Sequence, residues 1–118
     1  MHESGENYLE TILILEKKGN SVRAIDVANE LGYSKASVSR GVALLKKENC
    51  ITVNKSGILQ LTEEGRLIAE RVFERHVMLT RFFVEYAEVS EAIAEKDACK
   101  VEHILSEETY QGLKRHVK

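Results

Sequence analysis

The chain has 118 residues, of which 43% are hydrophobic and 31% are charged, so it is long enough for one domain or for one domain with a helical appendage. Its two cysteines are too few for the disulfide framework of a small secreted protein. No apolar run approaches the roughly 18 residues that a membrane span needs. We therefore expect a cytoplasmic protein without a membrane partner, and the absence of proline together with repeated helical spacing predicts a mainly α fold.

A basic segment lies within an otherwise acidic chain. The net charge is −2, yet residues 32–60 contain five lysines and arginines against one glutamate, which gives this segment a charge of +4. The remainder of the chain therefore carries −6. This asymmetry indicates a polyanion as the partner of the basic segment, although ordinary solvated helix faces would give a similar count.

Helical spacing of apolar residues predicts six helices, most of them preceded by a serine or threonine that can cap the first turn. A glycine-containing turn between two short β patterns predicts one hairpin. In chain order the predicted elements are a helix over Glu6–Lys18, a helix from the cap Ser21 to Leu31, a helix over Lys35–Asn49 capped by Ser34, strands over Ile51–Asn54 and Ile58–Thr62, a long helix from the cap Thr62 to Tyr86, a helix over Glu91–Leu105 capped by Ser90, and a last helix capped by Ser106.

The order helix, helix, turn, helix, hairpin is typical of a winged helix-turn-helix. A tight turn at Gly32 and Tyr33 would hold the third helix across the second, so that its first residues can enter a DNA major groove. A winged helix used for protein contact is the alternative, but the basic segment coincides with the groove-facing elements, which favours DNA. The predicted DNA contacts are Ser34, Lys35, Ser37, Ser39 and Arg40 on the third helix and Lys55 at the hairpin tip.

Metal-ligating residue types recur near the C-terminal end of the predicted fifth helix. Cys99, Glu102 and His103 have the spacing i, i+3 and i+4, which places three side chains on one helix face. Thiolate, carboxylate and imidazole together form a half-site for a divalent transition metal. A buried cysteine is also an ordinary small hydrophobe, so each residue taken singly has a simpler explanation.

Further donors lie on two other predicted helices. His76 is part of the apolar stripe of the long helix, where a histidine is usually a satisfied core residue. Asn7 and Glu10 are one turn apart on the first helix, away from its main apolar stripe. A metal site from these residues requires a fold that brings three helices together.

Taken together, these motifs resemble the diphtheria-toxin-repressor family of iron- and manganese-dependent transcriptional repressors. The resemblance covers nearly the whole chain, from about Glu6 to Val117. It implies a homodimer on an inverted-repeat operator in double-stranded DNA, with a winged helix-turn-helix DNA-binding domain over residues 1–70, a helical metal-binding and dimerisation domain over residues 71–118, and a long helix shared by both. The motifs that carry it are Asn7-Tyr8-Leu9-Glu10-Thr11-Ile12, the helix-turn-helix around Ser34–Arg40, the wing, Arg75-His76 and Cys99-x-x-Glu102-His103.

The resemblance also implies a ligand set, made of Asn7, Glu10, His76, Cys99, Glu102 and His103. Cys99 matches the iron-responsive branch of the family, whereas Glu10 matches the manganese branch, in which an aspartate stands at the position of Asn7. A binuclear site with Glu102 bridging two ions is an arrangement of the manganese branch. We expect Fe²⁺ or Mn²⁺ as the cofactor, with Co²⁺ and Zn²⁺ as substitutes in vitro, because thiolate favours softer ions than Mn²⁺ and the carboxylates favour harder ones.

Two other classes of function are alternatives to a metal-dependent repressor. A winged-helix regulator could sense an oxidant or small molecule through Cys99 or Cys50. A metallohydrolase needs an open coordination position and a general base, but the sequence contains neither a His-Glu-x-x-His motif nor a nucleophile elbow. We therefore expect no catalytic residues and no enzyme activity.

Overall fold

The computed structural model describes residues 3–117, over which the chain is mainly helical, as predicted, with six α-helices and three short β-strands. One compact unit ends at Glu70 and a second begins at Arg71, and the fourth helix contributes to both. The helices are α1 (Glu3–Lys17), α2 (Ala24–Leu31), α3 (Lys35–Lys47), α4 (Glu63–Tyr86), α5 (Glu91–Val101) and α6 (Glu107–Lys114), and the strands are β1 (Val22–Arg23), β2 (Ile51–Val53) and β3 (Ile58–Leu61). Every helix within residues 3–117 is either too short or too polar to span a lipid bilayer.

The first unit packs three helices beside a small antiparallel sheet. Helix α1 contacts α2, α3 and β3, and the strand order in the sheet is β1-β3-β2. The apolar stripe that was predicted on α1 is buried, as are the inward-facing residues of α3 and the strands. The largest fully buried side chains of this unit are Leu9, Ile12, Leu13, Val22, Val27, Val38, Leu45, Ile51 and Leu59.

A tight turn joins α2 to α3 in the predicted place. Gly32 has φ +70°, a left-handed conformation that glycine adopts without steric cost, and the Tyr33 N–H donates to the Ala28 carbonyl at 3.1 Å. The Ser34 hydroxyl oxygen then accepts a 3.1 Å hydrogen bond from the Ser37 N–H and so caps α3. The predicted cap and start of α3 are confirmed.

The second helix begins later than predicted. Ser21 was expected to cap it, but Val22 and Arg23 form β1, which pairs with β3 in the register Val22 to Leu59. Helix α2 starts at Ala24, where the Asp26 carboxylate accepts a 2.8 Å hydrogen bond from the Arg23 N–H. A two-residue strand carries no periodic signal of its own, because its pairing depends on β3, which lies more than thirty residues away in the sequence.

The start of α4 approaches the backbone that precedes β2 very closely. The Thr62 hydroxyl donates to the Asn49 carbonyl at 2.7 Å and accepts from the Gly65 N–H at 3.1 Å, which confirms the predicted cap. A Cβ atom at Gly65 would overlap the carbonyl oxygen of Cys50. Position 65 therefore needs glycine in order for the helix to approach so near.

The second unit packs α4, α5 and α6 around a separate core. Met78, Leu79, Ala98 and Tyr110 are buried in it, and the partly buried residues Phe82, Phe83, Val101, Leu105, Leu113 and Val117 pack against them. Ser90 and Ser106 cap α5 and α6 as predicted, through 3.2 Å and 3.1 Å hydrogen bonds from the Ile93 and Thr109 N–H groups.

Helix α5 is shorter than the predicted Glu91–Leu105. It ends at Val101, whose carbonyl accepts from the N–H groups of Ile104 at 3.1 Å and of Leu105 at 3.2 Å. Glu102 is therefore the C-terminal cap, and His103 lies in the turn that leads to the Ser106 cap of the next helix. The apolar spacing continues through this turn, which is why helical periodicity alone did not locate the end.

A polar cluster on the second unit gives a pH-dependent contribution to stability. The Glu74 carboxylate accepts a 2.6 Å hydrogen bond from the Lys114 ammonium and a 3.0 Å hydrogen bond from the Tyr110 hydroxyl, and these lower the pKa of Glu74 below its ordinary 4.5. Burial and the bond to Glu74 raise the pKa of Tyr110 to about 12, so the phenol remains a donor at neutral pH.

We expect Glu74→Gln to lower the free energy of unfolding at pH 7 by ~0.5 kcal/mol, because the pair with Lys114 is half exposed and screened by solvent. Since the folded pKa is the lower one, the carboxylate stabilises the protein fully above the unfolded pKa, and this stabilisation is lost as pH falls through the folded pKa. Urea unfolding of the unmodified chain and of the Glu74→Gln variant, measured from acidic to neutral pH, checks this prediction. An equal difference in stability at acidic and neutral pH would contradict the assignment.

Candidate metal centre and nucleic-acid interface

Three of the predicted ligands lie together in the second unit. His76 is on α4, Glu102 caps the end of α5, and His103 is the next residue. The two oxygens of the Glu102 carboxylate face different rings, with Oε2 2.9 Å from Nδ1 of His76 and Oε1 3.3 Å from Nε2 of His103. The carboxylate is thus flanked by an imidazole nitrogen on each side.

This cluster is largely shielded from water. Glu102 is 1% exposed, the His103 side chain is 1% exposed, and the His76 side chain is 22% exposed. Within residues 3–117 no lysine or arginine forms an ion pair with the Glu102 carboxylate. A buried carboxylate needs a compensating cation or full hydrogen bonding, so the cluster is electrostatically suited to a positive ion.

The hydrogen bonding of Glu102 supports the same conclusion. Its Oε1 atom is buried and accepts no hydrogen bond from any of the residues 3–117. A buried polar atom without a partner costs about 1–3 kcal/mol, and a bound ion can remove this cost by coordinating the atom. One carboxylate with two imidazoles is a donor set that divalent transition metals accept. The three residues therefore fit a metal ion.

The other predicted ligands lie on α5 and α1. Cys99 is exposed on α5, whereas Glu102 is buried at the C-terminal cap of that helix. Asn7 is half-buried and Glu10 is buried on α1, which belongs to the first unit. The assignment of these three residues as ligands stays a prediction.

The predicted DNA contacts lie at the start of α3. The Ser34 hydroxyl donates to the Ser37 hydroxyl at 3.0 Å, and the Arg40 guanidinium donates to the same Ser37 oxygen at 3.4 Å. Lys35 and Ser39 are exposed beside them. The first two turns of α3 therefore present hydroxyl and guanidinium groups to solvent, which are groups that hydrogen-bond phosphates and base edges.

The hairpin carries the last predicted DNA contact, Lys55, and an arginine from β1 donates a hydrogen bond to the hairpin backbone. Lys55 is exposed in the turn, where Asn54 Oδ1 accepts 2.9 Å hydrogen bonds from the N–H groups of both Ser56 and Ile58. The Arg23 guanidinium also donates to the Ser56 carbonyl. The sequence alone does not indicate this role of Arg23, because Arg23 reaches the hairpin only through the pairing of β1 with β3.

Comparison with known families divides the chain in a similar way. Residues 1–59 match the family model described as the iron dependent repressor N-terminal DNA binding domain. Residues 62–118 match the one described as the iron dependent repressor metal binding and dimerisation domain. The two matches together cover almost the whole chain.

Similar proteins include a transcriptional regulator of the helix-turn-helix type from Methanocaldococcus jannaschii, which is 30% identical over 97% of this chain and 92% of its own length. The iron-dependent repressor IdeR of Mycobacterium tuberculosis is 30% identical over 94% of this chain but 48% of its own length, so the chain spans about half of that relative. A solved manganese-dependent transcriptional repressor in complex with manganese has a TM-score of 0.89 at 21% identity, covering 95% of this chain and 51% of the other. The chain belongs to the iron-dependent repressor family, which also contains the diphtheria toxin repressor.

Proposed function

We propose that this protein is a transcriptional repressor that binds DNA in response to Fe²⁺ or Mn²⁺ and so controls metal homeostasis. It acts as a homodimer on an inverted-repeat operator in double-stranded DNA. The observation that carries the proposal is the buried Glu102 carboxylate between the imidazole nitrogens of His76 and His103, in a chain whose first 59 residues match a DNA-binding domain.

The proposed ligands fall into two groups. His76, Glu102 and His103 are supported by the distances from the Glu102 carboxylate to the two imidazoles and by the unsatisfied Oε1 atom of Glu102. Asn7, Glu10 and Cys99 are proposed from the sequence pattern and the family resemblance. When bound, the ion supplies positive charge to a buried carboxylate and fixed coordination angles to the residues that hold it.

Iron and manganese are proposed from opposing preferences of the donors. The three supported ligands supply nitrogen and oxygen, which suit Mn²⁺ and Fe²⁺ alike, and a Cys99 thiolate would shift the preference towards Fe²⁺, Co²⁺ or Zn²⁺. Relatives bear names of both kinds, such as the iron-dependent repressor IdeR and a manganese-dependent transcriptional repressor.

The response to metal requires an energetic link between metal binding and DNA binding. An ion promotes DNA binding only if it binds the DNA-competent form more tightly than the other forms. A tenfold increase in DNA affinity requires about 1.4 kcal/mol of coupling, and DNA must then increase metal affinity by the same factor. In the dimer, the two α3 helices would contact half-sites about 34 Å apart, one turn of DNA.

The experiment that tests the proposal measures binding to a fluorescent library of inverted repeats in chelator and then in Mn²⁺, anaerobic Fe²⁺, Co²⁺ or Zn²⁺. The salt concentration is held constant, because phosphate contacts alone make DNA affinity depend on ionic strength. We expect sequence-specific binding only with metal, and the order of the ions then identifies the preferred cofactor. Specific binding that is equally tight in chelator would contradict the proposal.

A further inference from the structure

Arg75 makes an unusual set of contacts next to the His76–Glu102–His103 cluster. It is only 8% exposed on α4, directly before His76. Its Nη1 donates to two backbone carbonyls, that of Glu102 at 3.2 Å and that of Leu105 at 2.6 Å. Its Nη2 donates to the Glu107 carboxylate at 2.6 Å.

These contacts hold the segment in which α5 ends. The last carbonyls of a helix lack partners within the helix, and a basic side chain can satisfy them. Arg75 satisfies the carbonyls at both ends of the turn 102–105, and the ion pair with Glu107 connects the same guanidinium to the start of α6. The guanidinium carbon also lies 4.9 Å from the centroid of the Tyr110 ring, which is buried in the core of this unit.

The orientation of two side chains in the cluster depends on that backbone. Glu102, the C-terminal cap of α5, still makes a helical hydrogen bond from its N–H to the Ala98 carbonyl at 2.9 Å, and His103 lies in the turn beyond it. Helical hydrogen bonding alone therefore does not fix the backbone from the Glu102 carbonyl onward. Without Arg75, the carbonyls of Glu102 and Leu105 would be left without the donors that the structure gives them. The turn could then relax and move the Glu102 carboxylate away from His76.

We propose that Arg75 is a positioning residue of the metal centre, which holds the turn 102–105 so that Glu102 and His103 face His76 without itself binding the ion. This inference rests on the proposed function, because it assumes that the cluster binds a metal. Groups that orient metal ligands typically contribute about 10- to 100-fold to metal affinity.

The test compares Arg75→Ala and Arg75→Lys with the unmodified chain, and uses Glu107→Gln as the matched control. The control removes the charge that pairs with Arg75 but leaves both carbonyl hydrogen bonds in place. Co²⁺ is titrated and followed by its visible absorption, which reports the geometry of coordination. Circular dichroism and thermal unfolding in chelator report the fold without metal.

We expect Arg75→Ala to weaken Co²⁺ binding about 10- to 100-fold and to change the absorption spectrum, with a smaller loss for Arg75→Lys and almost none for Glu107→Gln. If Arg75→Ala does not fold, the lysine variant carries the same test, because it keeps the charge and loses the planar two-nitrogen donor. Unchanged Co²⁺ affinity and spectrum in the folded variants would overturn the proposed role of Arg75 but not the proposed metal site. Failure of the unmodified chain to bind Co²⁺ would overturn this inference together with the proposed metal site.

Discussion

Replacing His103 with alanine is expected to abolish the dependence of DNA binding on metal while the chain remains folded. The His103 side chain is buried, and its Nε2 faces the Glu102 carboxylate at 3.3 Å. Removing it deletes one of the two imidazoles that flank this carboxylate. Loss of a direct ligand should lower metal affinity by more than the roughly 100-fold that is the upper range for residues that only orient ligands. Operator binding with and without Mn²⁺ or Co²⁺, together with a direct metal titration, measures both effects.

The matched control for this variant is His116→Ala. His116 is exposed near the end of the chain, and its backbone carbonyl accepts a 2.7 Å hydrogen bond from the Tyr86 hydroxyl, which alanine would retain. The control should keep the metal response of the unmodified chain. An unchanged response in His103→Ala would remove His103 from the proposed ligands.

The helix-turn-helix was predictable because its signals are local. A left-handed glycine at Gly32 and a capping hydroxyl at Ser34 act within a few residues of the turn that they define, and the apolar residues of α3 repeat within one helix. The hairpin was predictable for the same reason, since Gly57 has φ +81° within the turn itself. Local chemistry therefore located α3 and the β2–β3 hairpin.

Other parts of the first unit depend on distant partners. The strand β1 exists because of its pairing with β3, and its formation moved the start of α2 from the predicted cap at Ser21 to Ala24. Ile25 on α2 is 40% exposed, whereas Val27 and Ala28 on the same helix are buried. Gly65 gave no sequence signal, since its role is a close approach to the Cys50 carbonyl.

The candidate metal site was predictable in its residue types but not in its local backbone. The spacing of Cys99, Glu102 and His103 assumed a continuous helix, whereas α5 ends at Val101 and Arg75 on another helix donates to two carbonyls of the following turn. The structure places the Glu102 carboxylate beside both His76 and His103, and the role of these residues as ligands stays a prediction.

Replacing Arg40 with alanine is expected to weaken binding to the specific operator whether or not metal is present. Arg40 is exposed near the start of α3 and donates a 3.4 Å hydrogen bond to Ser37, so its guanidinium is held among the hydroxyl groups proposed to contact DNA. Loss of a side chain that reads a base typically costs about 1–3 kcal/mol, or about 5- to 150-fold in affinity. Competition titrations with specific and scrambled DNA at constant salt measure this loss.

The control for Arg40 is Lys46→Ala, which removes the same charge from the opposite end of α3. If Arg40 reads a base, its variant loses affinity for the operator but keeps affinity for scrambled DNA, whereas a phosphate contact weakens binding to every sequence and lowers the salt dependence. We expect a selective loss for Arg40→Ala and a small, sequence-independent loss for Lys46→Ala. Equal losses for the two variants would mean that only the net charge of α3 matters, and the hydroxyl and guanidinium groups at its start would then carry no sequence information.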